Sequence, residues 1–297
     1  MGRKTVKRAP RRSARRKTQQ LVAPFVVAPK KTQPVRAVTP AGVRILNCTP
    51  SRNTENDWHP ENALSAGILR AAPIPQAKDL REKWWTLNDQ HSTGSCVGWA
   101  TADSVLRWHL VKAGRLTTKQ MLSPRFIWMA AKETDEFNTR PTTFIESDGT
   151  SLKAALDIAR RYGCVVDNVL PFASGKLYPH EVADFYATAA QYKITSYINL
   201  GRNLAEWRRW IATKGPILTR LDCDNTWMNA KNTNGRLDAY DAMSMQGGHA
   251  VAMVGYDQNQ FIVRNSWGTN WGHKGFGYAS NAYAAAAFTE AYGVNLV

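Results

Sequence analysis

The stretch GHAVAMVGYDQNQFIVRNSWG, residues 248–268, decides the fold of this chain. Two apolar, β-branched runs flank a polar turn at residues 257–260, which is the pattern of an antiparallel hairpin. A hairpin centred on that turn places residue 249 opposite residues close to 265–267. We therefore expect His249 and Asn265 to be cross-strand neighbours.

An imidazole beside an amide oxygen is an oriented base, because the amide accepts a hydrogen bond from one ring nitrogen and fixes the tautomer. The other ring nitrogen is then free to face a thiol. Trp267, two residues beyond Asn265, is expected to cover the pair and exclude water. A histidine such as His249 on its own more often packs in a core, so this hypothesis needs a nucleophile elsewhere.

The stretch QHSTGSCVGWA, residues 90–100, supplies that nucleophile. Cys96 stands at the predicted start of a helix whose apolar residues recur every three or four positions up to Gly114. The positive end of the helix dipole and a neighbouring imidazolium both lower a thiol pKa. Gln90 can donate an N–H toward the point that the Cys96 N–H faces, which makes an oxyanion hole. A buried cysteine alone is usually a small core residue. Together with Gln90, His249 and Asn265, however, Cys96 is predicted to be catalytic.

Helical patterns come first along the chain and strand patterns later. Further helices are predicted over residues 151–163 and 180–192, and strands over residues 215–222, 248–256 and 260–267. This order predicts an α+β fold with two halves and a cleft between them.

Positive charge is concentrated at the N-terminus. Residues 1–54 hold 14 of the 39 Lys and Arg residues and no Asp or Glu, so the remainder has 39 minus 14, or 25, basic residues against 23 acidic ones. Such a basic, proline-interrupted stretch predicts a disordered arm over residues 1–54. It is expected to bind nucleic acid or another polyanion, or else to be a solubilising or targeting extension. Residues 55–72 are predicted to be a linker.

The number and spacing of the cysteines limit which metal, cofactor and disulfide sites are expected. If Cys96 is catalytic, an odd number of cysteines remains, with no CxxC pair, so no metal site, cofactor or disulfide framework is expected. The other three, which we expect to be inert, are Cys48, Cys164 and Cys223. A reducing intracellular or virion-associated compartment is favoured over secretion. No segment approaches the roughly 20 apolar residues of a membrane span.

The residues singled out above resemble the papain family of cysteine peptidases. In that family a glutamine precedes the nucleophile by six residues and the histidine and asparagine are sixteen apart; here 96 minus 90 is 6 and 265 minus 249 is 16. The stretch NSWGTNWGHKGFGY, residues 265–278, is similar to the family's asparagine block almost residue for residue. The resemblance covers about residues 73–290.

This resemblance implies a papain-like two-lobed fold over residues 73–297. The helical N-terminal lobe would take about residues 90–190, the antiparallel β lobe about residues 191–297, and the cleft between them the active site. It implies that Cys96 attacks a peptide or protein substrate with His249 as base, Asn265 orienting His249, and Gln90 stabilising the oxyanion.

Some positions depart from the family pattern. Val97 replaces the tryptophan that follows the nucleophile, with Trp99 as a displaced aromatic, and Thr93 replaces a cysteine, so the family's disulfides are missing. The N-terminal region does not resemble the helical inhibitory prosegment of the family. Control by removal of a pro-peptide is therefore not expected.

Substrate binding is predicted for three residues. Asp148 and Gly149 lie in a loop similar to the family's substrate-binding loop, although the paired glycines are absent from residues 147–151. Gly248 leaves the cleft wall open to a substrate side chain.

Two alternatives remain at this stage. One is a catalytically vestigial papain-fold protein with a structural or nucleic-acid-associated role, for example packaged in a virion. The other is acyl transfer from Cys96 to an amine, as in peptide ligation, which uses the same nucleophile.

Overall fold

The computed structural model describes residues 2, 35–39, 42–70, 72–134, 146–173 and 182–296. Among them, helical elements predominate before residue 190 and strands after it. The α-helices are α1 Pro60–Ser65, α2 Cys96–Gly98, α3 Arg107–Lys112, α4 Pro124–Thr134, α5 Leu152–Arg161, α6 Val182–Ala190, α7 Leu204–Thr213, α8 Asn225–Met228 and α9 Asn281–Ala287. Short 3₁₀ turns span Thr54–Asn56 and Ala242–Ser244.

The strands form a two-stranded sheet and an eight-stranded sheet. They are β1 Val35–Thr39, β2 Gly42–Leu46, β3 Lys78–Asp79, β4 Ser196–Asn199, β5 Ile217–Cys223, β6 Arg236–Leu237, β7 Gly247–Tyr256, β8 Gln260–Arg264, β9 Phe276–Ser280 and β10 Phe288–Asn295. The large sheet has the order β4-β10-β5-β7-β8-β9-β6, with β3 paired to β7, and all its pairs are antiparallel except β6 with β9. The α+β prediction is confirmed.

The predicted helix from Cys96 is present, with an irregular centre. A π-helical stretch, Trp99–Leu106, joins α2 to α3, and every residue from Cys96 to Leu106 is buried. Gly98 lets this helix lie against α4, because a Cβ there would sit 2.4 Å from the backbone oxygen of Pro124. The small residue thus fixes where the first turn of the helix lies.

A buried ion pair joins this helix to the large sheet. The Asp103 carboxylate, on the π-helical stretch, accepts hydrogen bonds from Arg264 at 2.8 Å and from Arg107 at 3.1 Å. Asp103 and Arg264 are each 1% exposed. Because Arg264 directly precedes Asn265, this pair fixes the end of β8 against the helix that begins at Cys96.

The prediction of a disordered arm over residues 1–54 is wrong for its C-terminal part. β1 and β2 pair as an antiparallel hairpin, and Ala37, Ile45 and Leu46 are buried. The prediction relied on the overall charge of residues 1–54 and overlooked a short alternation of apolar and polar residues that is typical of strands. Residues 1, 3–34, 40 and 41 of the predicted arm lie outside the described residues.

The prediction of a linker over residues 55–72 is also wrong. This stretch contains α1, which begins with Pro60 at its first turn, and its Ala63 and Leu69 are buried in the core. The burial of those apolar side chains attaches residues 55–72 to the folded unit.

In the described parts of the chain, none of the helices combines the length and the apolar character that crossing a bilayer requires.

We predict that Asp103→Ala lowers the free energy of unfolding by about 3–5 kcal/mol, because it leaves buried guanidinium groups without their counter-charge. The measurement is equilibrium denaturation in urea. The matched control is Asp238→Ala, which breaks an exposed pair with Arg236 and is expected to cost about 0–1 kcal/mol. Equal costs for the two variants would contradict this role of Asp103.

Candidate active site

The hairpin of β7 and β8 brings His249 and Asn265 together. Ala252 lies opposite Arg264 and Tyr256 opposite Phe261, with a register shift between them. His249 Nε2 lies 2.8 Å from Asn265 Oδ1, and both side chains are buried. Since an amide oxygen only accepts, Nε2 carries the proton and the imidazole orientation is fixed.

Aromatic rings enclose this pair. The ring of Trp267 lies 4.9 Å from that of His249, centroid to centroid, at an interplanar angle of 37°. Trp227, from α8, lies edge-on to His249 at 5.7 Å, and Trp271 packs on Trp227 at 4.4 Å. Trp267 is predicted from the sequence, whereas Trp227 is not, because nothing in the spacing of a separate helix indicates that it packs here.

Cys96 lies at the other side of the imidazole. Its side chain is fully buried, and its interaction with the His249 side chain is one of the effects that lower its pKa. The other imidazole nitrogen, Nδ1, is buried and has no hydrogen-bond partner among the described atoms. Cys96, His249 and Asn265 therefore form a contiguous set.

Gln90 is held in place by two neighbours. Its Nε2 donates to the Thr93 backbone oxygen at 3.0 Å, and its Oε1 accepts from the Ser266 hydroxyl at 2.8 Å. The Gln90 backbone N–H also donates to the Ser266 oxygen at 2.8 Å. Sequence reasoning missed Ser266, although it stands between Asn265 and Trp267.

The cleft at Cys96 is filled by the chain itself. Residues 42–49, here called the cleft segment, comprise β2 and the three residues that follow it. The Cys48 N–H donates to the Gly248 oxygen at 3.0 Å, and the Thr49 N–H donates to the Thr150 oxygen at 3.1 Å. The segment thus bonds to the residue beside His249 on one wall and to the loop of residues 147–151 on the other.

The predicted substrate-binding glycines, Gly149 and Gly248, lie directly against the cleft segment. A Cβ on Gly149 would lie 2.1 Å from the Asn47 oxygen, and one on Gly248 would lie 2.2 Å from the Cys48 oxygen. Any larger residue at either position would push the backbone of the segment away. Asp148 lies in the same loop, where its backbone oxygen accepts from the Trp128 indole at 2.9 Å.

The structure places Cys48, which the sequence analysis expected to be inert, directly against Cys96. The Cys48 side chain interacts with the Cys96 sulfur, and all four cysteines are free thiols. This interaction and, after the opposing effect of burial, the interaction with His249 hold the pKa of Cys96 well below its ordinary value. Burial and the neighbouring sulfur raise the pKa of Cys48.

Among the residues that the structure describes, no group of three or more His, Cys, Asp or Glu side chains is placed to hold a metal ion.

A cysteine near an oriented imidazole, on an α+β fold with a cleft, is the arrangement that cysteine peptidases use. The comparisons with known proteins agree. Residues 74–291 match the papain family cysteine proteases, which is more than half of the 297-residue chain. This chain belongs to the papain family and is a papain-like cysteine peptidase, a hydrolase.

Similar sequences include cathepsin B-like CP3 of Giardia intestinalis, 26% identical over 72% of this chain and 72% of that protein. Cysteine proteinase B of Leishmania mexicana is 26% identical over 68% of this chain and 44% of its own length. For mouse cathepsin J the identity is 27%, over 74% of this chain and 63% of cathepsin J. The chain thus spans less than two thirds of the last two relatives.

Solved structures share the fold. Xylellain, a cysteine protease from Xylella fastidiosa, superposes with a TM-score of 0.69 at 20% identity, covering 90% of this chain and 99% of that one. The proCathepsin B S9 of Trypanosoma congolense gives a TM-score of 0.62 at 15% identity, over 84% of this chain and 86% of its own. The predicted papain-like fold is confirmed.

We predict that Cys48→Ala moves the pH midpoint of Cys96 alkylation upward, because the variant removes the largest of the effects that lower the Cys96 pKa. The measurement is the rate of iodoacetamide labelling of Cys96 against pH, with the site identified by mass spectrometry. Cys164→Ala, a core cysteine, is the control and leaves the midpoint unchanged. A midpoint in Cys48→Ala that stays or falls would contradict this effect of Cys48 on the Cys96 pKa.

Proposed function

We propose that Cys96, His249 and Asn265 hydrolyse peptide bonds through a thiolate mechanism. The observation that carries this proposal is the buried 2.8 Å hydrogen bond from His249 Nε2 to Asn265 Oδ1, which leaves the other ring nitrogen to the Cys96 sulfur. That arrangement fixes the tautomer the reaction needs. An imidazolium at this position stabilises the thiolate and keeps a proton ready for the leaving group.

In the first step the Cys96 thiolate attacks the carbonyl carbon of the scissile bond. The backbone N–H of Cys96 and the side-chain amide of Gln90 donate to the developing oxyanion. His249 then gives its proton to the leaving amine, and the acyl-thioester remains on Cys96. Water, deprotonated by His249, hydrolyses the thioester and regenerates the thiol. Trp267 keeps bulk water away from the bond between His249 and Asn265.

The cleft segment has to move before a substrate enters. Its Cys48 carbonyl oxygen accepts from Arg220 Nε at 3.0 Å, so that carbonyl is directed to β5. Because this carbonyl bonds to Arg220 and not to the proposed oxyanion donors, the segment can lie across Cys96 without being cleaved as a substrate. The observed rate is then the intrinsic rate multiplied by the open fraction.

We also propose that the basic N-terminal region binds nucleic acid or another polyanion. Eleven of the fourteen basic residues of the predicted arm lie within residues 1–31, which precede β1 in the sequence. Each phosphate that such a region neutralises releases condensed counterions, which drives binding at low salt.

We predict that Cys96→Ala lowers cleavage of a diverse peptide library by about 10³-fold or more, because no other group replaces the nucleophile. Cleavage is read by mass spectrometry over long incubations, so that a small open fraction registers. Cys164→Ala, which removes a thiol buried away from Cys96, keeps wild-type cleavage. No cleavage by the wild-type protein, or cleavage that survives in Cys96→Ala, would contradict the mechanism.

We predict that replacing the nine Lys and Arg residues of positions 3–17 by Gln weakens binding to duplex DNA and flattens its salt dependence. Each lost phosphate contact removes about 0.9 from the slope of log K against log salt. Fluorescence anisotropy at several salt concentrations measures this slope, while peptide cleavage by the same variant stays unchanged. An unaltered DNA-binding curve would reject the polyanion proposal.

A further inference from the structure

The Arg44 side chain of the cleft segment lies in a pocket that surrounds its guanidinium as a binding site surrounds a ligand. Its guanidinium makes two parallel contacts with the Asp89 carboxylate, at 2.5 Å between Nη1 and Oδ1 and 3.0 Å between Nη2 and Oδ2. Bidentate geometry of this kind matches guanidinium and cannot be reproduced by an ammonium group.

Backbone oxygens and an aromatic face complete the pocket around Arg44. Nη1 also donates to the His91 oxygen at 3.2 Å, and Nη2 donates to the Trp267 oxygen at 3.4 Å. The guanidinium carbon lies 5.6 Å from the centre of the Trp267 ring. The Arg44 side chain is only 2% exposed, whereas Asp89 keeps 29%. The pocket thus combines a carboxylate, two acceptors and a π face.

The pocket belongs to the cleft. Asp89 directly precedes Gln90, and Trp267 covers His249. Asp89 and Trp267 form a bridge between their backbones, so the two sides of the pocket are tied to each other without the cleft segment. Arg44 stands four residues before Cys48, which contacts Cys96. In an extended chain this separation spans about 14 Å at most, which is within the length of a bound peptide.

Asp89 has a donor of its own besides Arg44. The His91 backbone N–H donates to its Oδ1 at 2.7 Å. Partial burial raises the pKa of Asp89, but the Arg44 guanidinium and the His91 N–H more than offset it and hold that pKa below its ordinary value. When the cleft segment leaves, the carboxylate keeps the His91 bond and faces an emptied, electronegative pocket.

We infer that Asp89, with the His91 and Trp267 backbone oxygens, is a specificity subsite for an arginine side chain of the substrate. In the covered state Arg44 occupies that subsite. The inference rests on the proposed peptidase function and adds to it a substrate class: peptides with arginine within about four residues of the cleaved bond.

The test compares two full-length variants that break the same ion pair from opposite sides. Both Arg44→Ala and Asp89→Asn release an anchor of the cleft segment, so both are expected to raise peptide cleavage above wild type. Each is assayed on paired peptides that carry arginine or its neutral isostere citrulline at each of the four positions on either side of the scissile bond.

Arg44→Ala is expected to prefer arginine over citrulline at one position by about ten- to hundredfold in kcat/KM, the effect of hydrogen bonds to a charged group. Asp89→Asn is expected to lose that preference while it still cleaves the citrulline peptide. If Asp89 only anchors the segment, the two variants will show the same ratio of arginine to citrulline, and the inference is overturned.

Two further outcomes keep the test decisive. Circular dichroism checks that Asp89→Asn is folded. If it is not folded, Arg44→Ala alone tests the subsite. Equal cleavage of the arginine and citrulline peptides by Arg44→Ala at every position would then overturn the inference. Adding Cys96→Ala to each variant separates this inference from the proposed function. Cleavage that persists without Cys96 would refute the mechanism, whereas Cys96-dependent cleavage with no arginine preference would refute only the subsite.

Discussion

A buried carboxylate holds the two halves of the site in register. Asp103 lies on the helix that begins at Cys96, and its partner Arg264 ends the strand that leads into Asn265. An ion pair this deeply buried contributes little net stability but is costly to break, so it acts mainly as a fixed spacer. The positions of Cys96 and Asn265 relative to each other, and so the orientation of His249, depend on this constraint.

The residues before the peptidase domain are part of the site. The cleft segment uses backbone hydrogen bonds to Gly248 and Thr150, a thiol against Cys96, and the Arg44 guanidinium against Asp89. Each contact is made with a different element of the cleft. The contacts of the segment therefore indicate which chemical groups the cleft can bind. The segment also buries Cys96, where interactions with Cys48, His249 and the Ala250 backbone offset the cost of burying a charged sulfur.

The sequence predicted those features that rest on local patterns. The hairpin around residues 257–260 followed from two apolar runs and a polar turn, and the helix from Cys96 followed from its apolar spacing. The cleft segment was missed because charge averaged over residues 1–54 concealed the short alternation of β1 and β2. Trp227 and Asp89 could not be assigned, since their roles arise only when distant parts of the chain pack together.

The most direct test of the central claim, a single reactive thiolate activated by His249, is labelling with a peptidyl epoxide followed by peptide mapping. We predict that the adduct forms on Cys96 alone of the four cysteines and that His249→Ala abolishes it. An adduct on Cys48, Cys164 or Cys223, or labelling of Cys96 that is as fast without His249, would contradict the claim.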